Sequence, residues 1–223
     1  MRNSLSMQAL FGHRHKVLLV LLFVATSLLL VFSATCFSAE RSMSQQTLAE
    51  INLARTNPQL FAKYLREFRR QFLGSSYILQ GTETMVRTGE GVKGVDEAIR
   101  FLLRQKPLPP LEWSTGLAAA AAELAEEEGE SRAVGHQGRT SGGPKKRIEH
   151  HGEWQGTIGE NIFYGPGDAR QVVMNLIIDD GVPDRGHRKN IFSRAFARAG
   201  AACGSHPDFV TVCVIDFAGE FRE

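Results

Sequence analysis

The sequence predicts an α+β sandwich built as a single domain. Three observations carry that prediction: four stretches in which apolar residues recur at helical spacing, a polar segment with a histidine between the third and fourth of them, and two apolar C-terminal segments separated by a turn.

The first helical stretch spans residues 44–72, where Leu48, Ile51, Leu53, Leu60, Phe61, Tyr64, Leu65 and Phe68 follow a period close to that of a helix. It breaks at Asn57-Pro58, where Asn57 suits the cap and Pro58 the first turn of a second helix. Residues 74–94 are rich in Gly, Ser and Thr without sustained periodicity, and predict a long surface insertion. A helix over residues 95–105 follows, with Ile99, Leu102 and Leu103 on one side, and Pro107, Pro109 and Pro110 stop it. Leu111-Glu112-Trp113 leads to Ser114, an N-cap for an alanine-rich helix over 115–129 whose Glu126-Glu127-Glu128 run reads as a solvated face. Residues 170–180 carry Val172, Val173, Leu176 and Ile177 on an apolar stripe. Residues 199–202 and 210–217 then read as two strands about a turn at Gly204-Ser205-His206-Pro207-Asp208.

Ahead of this domain, Arg14, His15 and Lys16 precede an uncharged run over 17–39, which reads as a secretory signal with Cys36 and Ser38 near its cleavage site. The division is residues 1–39 as signal peptide and 40–223 as the domain, located outside the cell. The competing reading is an uncleaved membrane anchor over 17–39, since the run is long enough to span a bilayer. The leader holds three of the 26 basic residues and none of the 24 acidic ones, so the remainder is nearly neutral. The Arg69-Arg70 and Lys145-Lys146-Arg147 clusters are short enough to be solvated surface, and nothing has the basic footprint of a nucleic-acid binder.

Beyond the leader two cysteines remain, Cys203 and Cys213. In an exported domain they can face each other across the terminal hairpin and form a disulfide; two buried free thiols are the alternative.

The chemistry-bearing residues are His136 in Gly135-His136-Gln137-Gly138, Glu160 in Gly159-Glu160-Asn161-Ile162, Asp179 and Asp180, and His187 in Arg185-Gly186-His187-Arg188. Read as glycine-flanked turns, these segments can present side chains into a cleft. Asp179 and Asp180 close a helix at the end its dipole disfavours for acids, so another partner must compensate. Two imidazoles and one or two carboxylates, if they converge, suit Zn²⁺ or another divalent cation, or a proton-handling cluster. Each alone is also compatible with a hydrogen-bonded structural role. The chain has no His-Glu-x-x-His helix, Gly-x-Ser-x-Gly elbow or phosphate-binding glycine loop.

Asn52-x-x-Arg55, Leu111-Glu112-Trp113, His136 in its glycine turn, Gly159-Glu160-Asn161-Ile162 and Gly186-His187-Arg188-x-Asn190-Ile191 together resemble the CAP superfamily over residues 44–219. That superfamily comprises cysteine-rich secretory, antigen 5 and pathogenesis-related 1 proteins, and the likeness is to its cysteine-poor branch. The resemblance implies an α-β-α sandwich in which His136, Glu160, an acid and His187 line a central cleft. Asp179 falls at the fourth place, one methylene shorter than the glutamate of many relatives, with Asp180 its rival and Leu176 where a tryptophan often stands. It also makes the 74–94 insertion longer than the family's minimal pattern, able to cover part of the cleft.

The expected function is a secreted ligand-binding module, its cleft taking a divalent metal, a lipid or sterol, or another small molecule. An extracellular protein partner is a further possibility, and a membrane enters only if the leader stays uncleaved. The alternative is a metal-dependent hydrolase or peptidase with Glu160 as general base; a third reading makes the four residues a buried network that stabilises the fold. Binding is favoured over catalysis, because the sequence supplies no activated nucleophile.

Overall fold

The computed structural model describes residues 42–79 and 81–223. The leader expected over 1–39, with its cleavage site and Cys36, lies outside the described residues.

Helix α1 (Met43–Thr56) starts at Ser42, whose hydroxyl accepts from the backbone N–H of Gln45, and ends at Asn57. Asn57 in turn caps α2 (Pro58–Arg69) by accepting from the Leu60 N–H, so the chain breaks where Asn57-Pro58 predicts. Two polar residues of α1 fix the helix to the rest of the chain. Asn52 pairs with both the N–H and the carbonyl of Leu111, and the buried Arg55 donates to the carbonyls of Pro109, Ile191 and Ser193.

The insertion expected as irregular surface is instead partly ordered as a small antiparallel sheet of β1 (Phe72–Leu73), β2 (Ser76–Ile78) and β3 (Met85–Arg87). Strands of two or three residues are too short for alternation to show in sequence. What holds them is an aromatic cluster, Phe68 edge-on to Phe72 and Tyr77 at centroid distances of 5.2 and 4.7 Å. Helix α3 (Val92–Arg104) follows, three residues ahead of its expected start.

The next elements are β4 (Glu112–Trp113), α4 (Thr115–Ser131), α5 (Pro144–His151), β5 (Glu153–Tyr164), α6 (Ala169–Ile178), α7 (Gly186–Ile191), β6 (Arg198–His206) and β7 (Val210–Arg222). Ser114 caps α4 through the Leu117 N–H, as expected. Three elements differ from expectation. Residues 145–147 lie in α5, Gly159-Glu160-Asn161 sits inside the twelve-residue strand β5, and Gly186–Ile191 forms a short helix. Gly, Glu and Asn disfavour strands; here pairing with β7 along nearly all of β5 outweighs that preference.

The main sheet has the order β4-β6-β7-β5, antiparallel except for the β4–β6 pair, with β5 at one edge. Side-chain alternation along β7 divides the core into two layers. Cys213, Ile215 and Phe217 pack with α1, α2, α3 and α6, whereas Val212, Val214 and Ala218 pack against α4 and Ile148 of α5. This is the expected α-β-α sandwich. Helix α4 approaches β6 so closely that a Cβ at Gly200 would lie 2.0 Å from the backbone nitrogen of Ala118, so that position admits glycine alone. Cys203 and Cys213 are direct partners in the β6–β7 register and form the disulfide.

Candidate functional site

The functional side chains gather along the edge strand β5, whose alternate residues address opposite layers. Glu160 faces α5. Its Oε1 lies 2.7 Å from Nδ1 of His136, and its Oε2 accepts from the Arg147 guanidinium at 2.5 Å. Arg147 has no exposed side-chain surface, which corrects the expectation that the Lys145-Lys146-Arg147 cluster is all solvated. It also donates to the carbonyls of His136 and Gly142, and so anchors the loop that carries the histidine.

Asn161, the next residue, faces the other layer. Its side-chain amide donates to the His187 carbonyl at 3.0 Å, and its Oδ1 accepts from the Asn190 amide at 2.9 Å. Consecutive residues of one strand thus hold the two histidine-bearing segments.

His187 is oriented by Asp179. Its ring Nδ1 lies 2.6 Å from Asp179 Oδ1, and its backbone N–H donates to Oδ2 at 2.9 Å. Asp179 closes α6 in a left-handed conformation with φ 57°, which turns the chain so that α7 comes back over its carboxylate. Asp180 lies elsewhere, accepting from the N–H groups of Gly89 and Glu90 at 2.6 and 2.7 Å. The acid on His187 is therefore Asp179, and both acids at the helix end have the compensating partners its dipole requires. Buried Arg188 pairs with Glu97, and Arg185 pairs with Glu90, which holds the Glu90 carboxyl down to about 2; together they fasten α7 to α3.

Contact with Glu160 raises the pKa of His136 above its ordinary value, against the opposing effect of burial. Beneath this pair lies Asp216 of β7, fully buried and opposite Glu160 in the strand register. Neither of its carboxylate oxygens has a hydrogen-bond donor among the described residues. Burial first, and then the charge of Glu160, push the Asp216 carboxyl well above the usual range. The Gly135–His136 turn is tied down by the Tyr164 hydroxyl, which accepts from the Gly135 N–H and donates to Glu128. Glu128 is buried and Glu127 accepts from the N–H groups of residues 139–141, so the acidic run on α4 is only partly the solvated face expected of it.

A cleft of about 270 Å³ opens beside this edge. Tyr77, Val86, Ile162, Phe163 and Leu176 supply apolar wall, and Asp179 and His187 line the same space. Through Tyr77, Val86, Arg87 and Thr88, the small sheet of the insertion forms one side. His136, whose ring is half-exposed, is not among the lining residues.

The structure therefore resolves the four expected residues into two dyads, His136–Glu160 and His187–Asp179. Among the described residues no three of the four bring ligand atoms within 4.8 Å of one another. Each ring uses Nδ1 for its carboxylate, and Nε2 of each has no hydrogen-bond partner among the described residues.

The family model for the cysteine-rich secretory protein family, CAP, matches residues 48–217. The chain belongs to the CAP family. No curated protein matches this CAP chain. Among solved structures it is similar to an outer surface protein from Borrelia burgdorferi, at 21% identity and a TM-score of 0.40, over 48% of this chain and 76% of that one. It is also similar to an extracellular protein containing an SCP domain from Bacillus anthracis str. Ames, at 19% identity and a TM-score of 0.44. That match covers 61% of this CAP chain and 46% of the other.

Arg147, Asn161, Asn190, Tyr164, Glu128 and Asp216 are site residues that sequence reasoning did not assign. Asn161 and Asn190 stand in the motifs that carry the family resemblance, and that was the available signal. Arg147 and Asp216 left none, since each looks ordinary until the sheet buries it.

Proposed function

We propose that this CAP domain is an extracellular ligand-binding module. Its ligand, a lipid, sterol or other small molecule with a polar end, lies in the cleft along β5, with that end against His187 and Asp179. The leader would deliver it outside the cell, either released or held by residues 17–39. Among the described residues, no helix is long and apolar enough to cross a membrane.

The single observation that carries the reading is the pair of carboxylate-oriented imidazoles with free Nε2 atoms. A carboxylate on one ring nitrogen fixes tautomer and direction and makes the other nitrogen a better donor to an electrophile or a divalent metal. The donor chemistry fits an ion such as Zn²⁺ at Nε2 of His187 in the cleft, with Asp179 as the orienting group rather than a ligand; His136 and Glu160 repeat that arrangement outside the cleft lining. When bound, such an ion would polarise a ligand oxygen. Binding is favoured over hydrolysis because both oxygens of Glu160 are engaged in holding His136 and Arg147 rather than turned to the cleft.

The test is zinc content after dialysis against Zn²⁺, for the wild-type protein and for His136→Ala/His187→Ala, with a lipid-extract binding assay beside it. Loss of one zinc equivalent together with weakened ligand capture supports the reading. Unchanged zinc and unchanged capture in the double variant overturn it.

A further inference from the structure

The described residues contain one His/Glu group with metal-ligand spacing, and it lies away from the cleft. Glu123 on α4 faces His150 and His151 at the end of α5, and the ligand atoms of the three all fall within 4.8 Å of one another. His150 Nδ1 lies 2.8 Å from Glu123 Oε1, and His151 Nε2 lies 2.7 Å from the same oxygen. Neighbouring residues of a helix point about 100° apart and do not ordinarily meet. Here they reach one atom because the first uses its near ring nitrogen and the second its far one, with the ring centroids 4.8 Å apart.

We infer that Glu123, His150 and His151 form a second divalent-metal site, of a class that takes nitrogen donors, with Zn²⁺ the representative ion. Two imidazoles and a carboxylate are a donor set that zinc accepts, leaving a fourth position to water. The same set disfavours Ca²⁺ and Mg²⁺, which demand oxygen. Tetrahedral Zn²⁺ at about 2.0–2.1 Å from each ligand would hold the ligands roughly 3.3 Å apart. Glu123 Oε1 already sits slightly closer than that to each imidazole nitrogen, at 2.8 and 2.7 Å, so a small outward shift admits the ion. His150 can make that shift, because 73% of its side chain is exposed, while His151 and Glu123 are only 26% and 27% exposed and supply the fixed side. Both imidazoles must offer a lone pair, so each takes the tautomer with its proton on the other nitrogen.

The position of the site gives it a consequence. A metal there ties α4 to α5, and α5 also carries Arg147, one turn earlier, whose guanidinium holds Glu160 and the His136 loop. Occupancy would stiffen the support of the His136–Glu160 dyad without touching the cleft. The inference does not rest on the cleft histidines binding metal.

The experiment is Zn²⁺ retention and thermal midpoint of the purified protein, with Co²⁺ substitution read by its visible absorption, for the wild type and four variants. His136→Ala/His187→Ala should retain one zinc equivalent, show tetrahedral cobalt bands and melt at higher temperature with Zn²⁺. Glu123→Gln/His150→Ala should lose one equivalent and that thermal shift, and the variant combining all four changes should lose them entirely. His150→Ala alone, at an exposed position, guards against misfolding and should weaken zinc binding at least tenfold with an unchanged far-ultraviolet spectrum. The inference is overturned if His136→Ala/His187→Ala retains no zinc, or if Glu123→Gln/His150→Ala retains as much as wild type. Zinc lost only with the cleft pair sinks this site and keeps the cleft reading; zinc lost only with Glu123 and His150 does the reverse.

Discussion

The amide of Asn161 donates to the backbone carbonyl of His187 at 3.0 Å, one position along β5 from the glutamate that orients His136. Asn161 is fully buried, and its Oδ1 is also the acceptor for Asn190. Replacing it with alanine or leucine strands a carbonyl and an amide away from water. Asn161→Leu should lower unfolding free energy by about 1–3 kcal/mol, the usual cost of buried polar groups without partners. Urea denaturation checks the stability, and the ring resonances of His187 should shift while those of His136 stay nearly fixed. Equal disturbance of both rings would contradict the separate holding of the two segments.

The buried Arg147–Glu160 pair makes a second prediction. Removing one partner leaves an uncompensated buried charge, so Arg147→Met should cost about 3–5 kcal/mol. Arg147→Met/Glu160→Gln should recover much of that loss, because neither charge is left alone. Glu160 also sets the titration of His136. Its contact raises the folded pKa of His136, so the stabilisation is complete below about 6.5, the unfolded value, and is lost as pH rises through the folded value. The half-exposed ring keeps this contribution small. Glu160→Gln should therefore bring the His136 titration, followed by NMR, back toward its ordinary value. An unmoved titration would show that Glu160 does not govern that imidazole.

Much of the fold was legible because the helices announce themselves locally. Asn57 and Ser114 cap through their own side chains, and the stripes of α2, α3 and α6 keep helical spacing. Strand β5 was not legible, since its conformation is imposed by β7 across nearly its whole length while its residues argue locally for a turn. The small sheet was hidden for a related reason: its stability comes from Phe68, Phe72 and Tyr77 packing, not from any run long enough to alternate. For the site, His136, Glu160, His187 and the Asp179-Asp180 pair stood out by residue type in short segments, and the family resemblance set Asp179 at the fourth place. Which atoms face which, and the buried Arg147 and Asp216 behind them, follow only from how the layers stack.

Asp179 and Asp180 should separate cleanly by substitution. Asp179 touches the ring and the backbone of His187, whereas Asp180 caps the chain at Gly89 and Glu90. Asp179→Asn should weaken any metal held by His187 by about 10–100-fold, the range for losing an orienting partner of a ligand imidazole. Asp180→Asn should leave metal affinity within about twofold and lower stability by about 0.5–2 kcal/mol, as loss of a side-chain cap does. Isothermal titration and urea melts of the two variants decide the matter. A metal effect from Asp180→Asn as large as from Asp179→Asn would remove the distinction.

Asp216 gives the molecule a pH dependence of defined sign. Its folded pKa is raised well above 3.8 by burial and by the charge of Glu160. Below about pH 4 the carboxyl is protonated in both folded and unfolded chains and contributes no difference. As pH rises further, the unfolded chain releases the proton while the folded one keeps it. Each unit up to the folded pKa then costs about 1.4 kcal/mol of stability. Asp216→Asn presents a similar shape with nothing to ionise, so the variant should gain on wild type as pH is raised from about 4 toward the folded pKa. Paired urea melts across that interval read the difference directly. Parallel curves would mean that Asp216 is ionised in the folded protein, and that Arg147, two of whose nitrogens already serve Glu160 and the loop, neutralises both carboxylates at once.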